Sequence, residues 1–275
     1  MSKILERAAR RLERDSTLIA KRAVQALRPA RRGRDGKTVL FVSGVQRSGT
    51  EMMMQVLERS FETDMFHESD ARAFADYQMR ERAVIHRLVD ESRAPVVVIK
   101  ALCEAQELRS LLDEFAPAKA LWAVRRYEDM INSHLRKWTG CPQTIGDIVA
   151  DRNAAAWRGR GMSDETHALV SRYYHPDMTP ASAVALFWVF RNRLFFEQGF
   201  DTDERVLVVR YEPLVRDPIA GFGRIFEFAG LKFSPRFVHD VHAGSIGKQR
   251  PPDIEPAIRE LCDEMIARYD AVAGT

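Results

Sequence analysis

Thr38-Val39-Leu40-Phe41-Val42-Ser43-Gly44-Val45-Gln46-Arg47-Ser48-Gly49-Thr50 decides the reading of this chain. Its first half is apolar and rich in β-branched residues, which predicts a short buried strand. At Gly44 it breaks into a loop carrying a second glycine, a cation and two hydroxyls, and Met52 to Arg59 then reads as a helix. Strand, glycine loop and helix in that order aim backbone N–H groups and a helix N-terminus at an anion. The spacing from Gly44 to Gly49 fits the phosphate-loop template Gly-x-x-x-x-Gly-Lys-Ser/Thr, but Thr50 and Glu51 stand where its lysine and metal-holding hydroxyl belong. Arg47 supplies a cation from inside the loop instead. The expectation is an anion site without the metal chemistry of an ATPase.

Outward from this stretch, strand and helix signals alternate. Residues 64–67, 96–100, 120–125 and 206–210 are short apolar runs that predict four more strands. Helices are expected over 71–91, 104–115, after Arg125 through about Trp138, over 181–198, 218–229 and 256–271. Residues 140–178, with glycine, proline, Trp157 and Tyr173-Tyr174, read as an irregular insertion or acceptor lid. Strands separated by helices imply an α/β fold, a P-loop-like three-layer sandwich with a central parallel sheet of about five strands flanked by helices. Ligands of such sheets bind beyond the carboxyl ends of the strands. Each expected strand here ends in a residue able to do chemistry: the Arg47 loop, His67-Glu68, Lys100, Arg125, and Arg210-Tyr211-Glu212. Together they argue for one polyanion site with a carboxylate beside it.

Composition bounds the remaining choices. The 275 residues suit one α/β domain with an insertion, and 45% hydrophobic residues supply a sizeable core. The net charge of +3 is unevenly spread: residues 1–37 hold 12 Lys/Arg against 4 Asp/Glu, leaving 30 against 35 in the rest. That distribution argues against a nucleic-acid surface spread over the domain. Residues 3–27 have the pattern of a basic amphipathic helix, and Arg28 to Lys37 that of a linker. An anionic membrane surface is one partner for residues 1–30. Packing on the domain or on a partner chain, or a solubilising role, is the reading favoured by an alanine-rich apolar face without Trp or Phe anchors. Cys103, Cys141 and Cys262 are odd in number and lack metal-ligand spacing, which suggests reduced thiols in a cytoplasmic setting. No signal peptide or membrane span is evident.

A second signal lies in Arg125-Arg126-Tyr127-Glu128-Asp129-Met130-Ile131-Asn132-Ser133. A cation at a strand end and a hydroxyl two turns into the next helix can grip a separate phosphate. With the glycine loop, the pattern resembles the sulfotransferases that use 3′-phosphoadenosine 5′-phosphosulfate (PAPS). Their 5′-phosphosulfate loop is similar to Gly44–Thr50, and their 3′-phosphate motif to Arg125, Asp129 and Ser133. Val208-Val209-Arg210-Tyr211-Glu212-Pro213-Leu214 resembles a segment they place near the adenine. The resemblance runs from about residue 38 to the C-terminus and is closer to glycan and tyrosylprotein members than to small-phenol ones.

That resemblance implies PAPS as cosubstrate, no metal, and in-line transfer of a sulfuryl group, a charge-building displacement that positioned cations must stabilise. Gly44, Arg47, Ser48, Gly49 and Thr50 would hold the 5′ end; Arg125, Ser133 and Tyr211 the nucleoside and 3′-phosphate; Lys248 and Arg250 of a basic C-terminal loop would close over it. Arg47 and Lys100 would stabilise the leaving group. Small-substrate members carry a histidine two residues after the strand-three lysine, and Leu102 occupies that position here. Glycan and tyrosylprotein members use a glutamate after strand two, which points to Glu68 as the base, with His67 as the alternative. Glu51 and Pro213 depart from the family pattern; Glu51 is expected to turn from the anion toward a basic residue. His134, Trp138, Trp157, Tyr173, Tyr174 and His175 border the insertion without an assigned role.

The expected organisation is an N-terminal basic helix and linker, 1–37, followed by a catalytic domain, 38–275. The expected reaction is sulfuryl transfer to a hydroxyl of a glycan, glycolipid or peptide. The alternatives are a P-loop nucleotide kinase or NTPase and a non-catalytic, membrane-associated nucleotide-binding protein.

Overall fold

The structure, a computed structural model, describes residues 19–21, 23–27 and 36–273. Its strands are β1 (Thr38–Gly44), β2 (Thr63–Phe66), β3 (Phe74–Ala75), β4 (Gln78–Met79), β5 (Val96–Lys100), β6 (Ala118–Val124) and β7 (Val206–Arg210). Five of them form one parallel sheet in the order β2-β5-β1-β6-β7, the α/β sandwich expected from the alternating pattern. β1 is central, so both its faces are covered and its sequence is apolar on both. Val39 and Phe41 join one buried cluster, Leu40 and Val42 the other, following the two-residue alternation of a strand. The cluster that holds Phe41 takes in residues of helices Leu108–Glu114, Tyr127–Leu135, Pro180–Glu197 and Pro256–Ala273. Leu40 packs with helices Thr50–Glu58 and Pro218–Phe228. Leu40, Phe41 and Val42 are each 0% exposed, and burial of such a side chain contributes roughly 1.5–3 kcal/mol.

This strand order places the site. From β1 the chain goes out to the edge strand β2, returns to β5 beside β1, then crosses to β6 and β7 on the opposite side. The carboxyl end of β1 is therefore the switch point at which a crevice opens.

Three segments differ from the sequence expectations. The expected helix over 71–91 is two elements, the β3–β4 hairpin and helix Arg82–Glu91. Asp76 and Tyr77, with φ of 48° and 63°, form the tight turn that helix periodicity does not reveal. Residues 140–178 hold helices Cys141–Ala150 and Asp164–Tyr173 rather than irregular chain. The second is capped by Ser163, whose Oγ accepts the Thr166 N–H at 3.1 Å, and Asp164 and Glu165 favour its positive end. A short helix, Tyr211–Arg216, also follows β7 directly.

Most of the expected N-terminal helix, and most of the linker, lie outside the described residues. In the part that is described, the Lys21 ammonium donates to the Glu58 carbonyl at 2.9 Å and to Thr63 Oγ1 at 2.7 Å. No helix among the described residues is long and apolar enough to cross a membrane.

Candidate anion-binding and catalytic site

The loop after β1 is shaped by its two glycines. Gly44 has φ 127°, and a Cβ there would meet the Ala123 carbonyl oxygen at 2.4 Å, so only glycine lets β1 lie against β6 at this point. Gly49 has φ 97°, and its Cβ would meet the Tyr211 ring at 2.5 Å. Between them Arg47 takes the left-handed conformation, φ 68°, and the Ser48 N–H closes the turn on the Val45 carbonyl at 3.2 Å. The loop runs straight into the first turn of helix Thr50–Glu58, an arrangement that can present backbone N–H groups to an anion. The Ser48 hydroxyl is buried there and has no hydrogen-bond partner among the described residues.

Three guanidinium groups gather around this loop. Arg125, just beyond β6, lies over the Tyr211 ring at 4.3 Å and donates to the carbonyls of Arg47 and Ser245, both at 3.2 Å. Its buried Nε has no partner among the described residues. Arg47 Nε donates to Ser133 Oγ at 2.9 Å, and its guanidinium stands 5.9 Å from the centre of the Trp138 ring. Burial, then Arg125 and Arg136, push the Arg47 pKa below its ordinary value. No carboxylate among the described residues pairs with Arg47, Arg125 or Arg136. Uncompensated cations beside unpartnered buried donors are costly unless a polyanion completes them.

The C-terminal loop is tied to the same place. Tyr211 and Ser245 share a hydrogen bond between their hydroxyls. Both Asp129 carboxylate oxygens accept the Gly247 N–H at 3.1 Å, and Asn132 Nδ2 donates to the Arg250 carbonyl at 3.1 Å. Lys248 and Arg250 themselves are exposed on this tethered loop.

At the end of β5, Lys100 is held between two carboxylates. Its ammonium is 2.8 Å from Glu68 Oε2 and 3.0 Å from Glu51 Oε2. Burial opposes its charge, but Glu68 and Glu51 outweigh burial and raise its pKa. Glu51, from the first turn of the loop helix, turns to Lys100; burial raises its pKa, and Lys100 more than reverses this. His67 Nε2 is 3.3 Å from Glu58 Oε1, and its Nδ1 is 3.9 Å from Glu51. Glu68 Oε1 lies 4.0 Å from Cys103 Sγ. Two further groups, which the sequence reading left without a role, are buried nearby. Burial is the main cause that pushes Glu104 up to about 7, with Glu68 and Glu107 adding to it; its Oε1 accepts the Met79 N–H at 2.6 Å while its Oε2 has no partner among the described residues. Burial, then Arg47 and Arg158, push His134 down to about 4.

The structure thus joins the glycine loop, Arg125 and Ser133 by direct contacts, joins Lys100 to Glu68, and sets His67 one carboxylate away. Tyr211 supports the loop from beneath. Sequence reasoning missed Arg136, Ser245, Glu104 and the clamp that Glu51 completes. Glu104, four residues after Lys100, was the most accessible of these, since strand ends were already suspect. Ser245 has no comparable signal, because 120 residues separate it from Arg125. A cavity of about 340 Å³ adjoins the Lys100 cluster, lined by Lys21, Gln25, Glu51, Glu58, His67 and Asp70 among others. A larger groove of about 640 Å³ along β7 touches neither the loop nor Lys100.

No family model matches the chain, and no curated protein matches it either. Among solved structures, the sulfotransferase domain from the curacin biosynthetic pathway is 15% identical, with 84% of this chain and 98% of that chain covered and a TM-score of 0.50. The sulfotransferase from Alicyclobacillus acidocaldarius is 17% identical, with coverages of 89% and 96% and a TM-score of 0.49. A sulfotransferase domain of the Synechococcus PCC 7002 olefin synthase is 15% identical, with coverages of 87% and 97% and a TM-score of 0.49. The first of these likenesses shows that the chain has the sulfotransferase type of α/β fold.

Proposed function

We propose that the protein is a sulfotransferase that moves a sulfuryl group from PAPS to a hydroxyl of a glycan, glycolipid or peptide. The observation that carries this reading is the cluster of Arg47, Arg125 and Arg136, unmatched by any carboxylate among the described residues, around a glycine loop whose Ser48 hydroxyl lacks a partner. These groups fit a ligand with two separated anionic ends. The loop N–H groups with Arg47, Ser48 and Thr50 would hold the 5′ end. Arg125 and Ser133 would hold the 3′-phosphate, and Lys248 and Arg250 would close over it. When bound, PAPS supplies the activated sulfuryl group.

The chain's own residues then have separable tasks. Lys100 stabilises negative charge at the leaving oxygen, and its two carboxylates keep it protonated. Glu68, in contact with Lys100, receives the proton of the acceptor hydroxyl. His67 is the second choice for that task, since Glu58 orients its ring. Helices Cys141–Ala150 and Asp164–Tyr173 form the acceptor-side cover within a catalytic domain that spans 38–275. Three free, separated cysteines support a cytoplasmic setting. Thr50 and Glu51, at the phosphate-loop Lys and Ser/Thr positions, count against a kinase or NTPase.

The test is transfer of label from sulfur-labelled PAPS to panels of glycan, glycolipid and peptide acceptors. Transfer that Glu68→Gln lowers roughly 10²- to 10⁴-fold is expected. If no acceptor class is labelled while the folded protein binds the nucleotide, the catalytic reading is wrong.

A further inference from the structure

A helix on a protein surface normally turns its apolar side inward. The described part of the N-terminal helix, residues 19–21 and 23–27, does the reverse. Lys21 is 4% exposed and bonded to Glu58 and Thr63. One turn on, Gln25 Nε2 donates to the carbonyls of Thr63 at 2.8 Å and Phe61 at 3.3 Å. Near the helix end, Arg93 donates to the Ala26 carbonyl at 2.6 Å. Polar groups therefore anchor the helix to the body. Its apolar side chains point the other way: Ile19 is 69% exposed, Val24 41% and Leu27 87%, with Ala23 exposed between them.

These are not scattered residues. The large apolar side chains exposed among the described residues are Ile19, Val24, Leu27, Phe61, Tyr77 and Ile219. The first three share this face, and Phe61 is a residue to which the helix is anchored. An apolar face held outward by three side-chain anchors needs an apolar partner.

Charge identifies the partner. The helix belongs to a stretch, residues 1–37, with 12 Lys/Arg against 4 Asp/Glu, while the rest of the chain is net acidic. A second copy docking through this face would bring two strongly basic arms together, which opposes self-association. A surface that is negatively charged outside and apolar within satisfies both features.

We infer that the helix is a membrane dock, whose outward face of Ile19, Ala23, Val24 and Leu27 enters the boundary of an anionic bilayer. Lys21, Gln25 and Arg93 hold the protein body to its inner side. The packing role and the membrane role are therefore not exclusive, since opposite faces serve them. Lys21 and Gln25 also line the cavity that contains Glu51 and His67, so the dock would hold the bilayer about one helix diameter, ~10 Å, from that cavity. The dock itself does not depend on the sulfuryl-transfer reading.

The experiment is co-sedimentation of the full chain with mixed phosphatidylcholine–phosphatidylglycerol vesicles, with pure phosphatidylcholine vesicles as the comparison. Binding to the mixed vesicles only is expected, falling as salt is added. The double variant Ile19→Asp with Leu27→Asp should bind roughly 10-fold or more weakly, with its thermal unfolding and elution volume unchanged, because both positions are exposed. A charge variant, Arg7→Gln with Arg11→Gln and Arg14→Gln, should weaken binding without altering the outward face. Failure of the wild-type chain to sediment with mixed vesicles, or equal sedimentation of the double variant, overturns the inference. So does a wild-type dimer that the double variant dissociates.

Discussion

Arg47 Nε donates to Ser133 Oγ at 2.9 Å, which joins the loop after β1 to the helix after β6 across 86 residues of sequence. Among the described residues the only side-chain hydrogen bond of this cation is to a neutral hydroxyl, so its charge is left for a ligand. Arg47→Ala should weaken binding of adenosine 3′,5′-bisphosphate roughly 10- to 100-fold, the range of a charged hydrogen bond. Ser133→Ala should cost less, and the two effects should not add, because the residues touch. Isothermal titration of the two single variants and the double variant checks this.

Gly49 carries two constraints at once, a φ of 97° and the Tyr211 ring at 2.5 Å from where a Cβ would be. Gly49→Ala should destabilise the fold by about 1–3 kcal/mol and weaken bisphosphate binding. Adding Tyr211→Ala relieves the clash but not the backbone strain. Denaturant titration should therefore show only partial recovery in the double variant.

Glu51 places a carboxylate on the first turn of the helix that caps the anion loop, held there by Lys100 at 3.0 Å. Glu51→Gln should tighten bisphosphate binding on the order of tenfold, because a like charge near the ligand is removed. Glu68→Gln should leave binding within a fewfold of wild type and lower turnover roughly 10²- to 10⁴-fold, the usual contribution of a general base. Separate measurements of nucleotide affinity and label transfer distinguish the two carboxylates.

Glu104 gives a pH signature. Burial raises its folded-state pKa to about 7 from an unfolded value of 4.5. The folded protein therefore holds a proton that the unfolded chain releases between these values. The stabilisation is fully present below pH 4.5 and is lost as pH rises through 7, an effect of about 3 kcal/mol at most. Relative to wild type, Glu104→Gln should gain stability as pH rises from 5 to 7 and level off above that. Parallel stability curves for the two proteins over that range would exclude the assignment.

The parallel sheet was legible because its evidence is local: apolar runs such as Val96–Lys100 and the glycine loop each declare themselves within a few residues. Arg125 and Ser133 were legible as a pair because Arg125 follows the end of β6 and Ser133 lies in the short helix, Tyr127–Leu135, that begins two residues later. The β3–β4 hairpin was not, since its turn uses Asp76 and Tyr77 rather than glycine. The helices of 140–178 were hidden by their glycines and aromatics, although Ser163, Asp164 and Glu165 mark the start of one. Glu51 shows the deeper limit. The sequence suggested that it would seek a basic residue, but only the packing of the loop helix against β5 identifies Lys100 as that residue and makes Glu68 its second partner.

The most direct test of the central claim is thermal unfolding of the full chain with adenosine 3′,5′-bisphosphate compared with ADP plus Mg²⁺. Stabilisation by the bisphosphate, lost in Arg125→Ala and with no matching effect of ADP and Mg²⁺, is the predicted result. Stabilisation by ADP and Mg²⁺ alone would contradict the account.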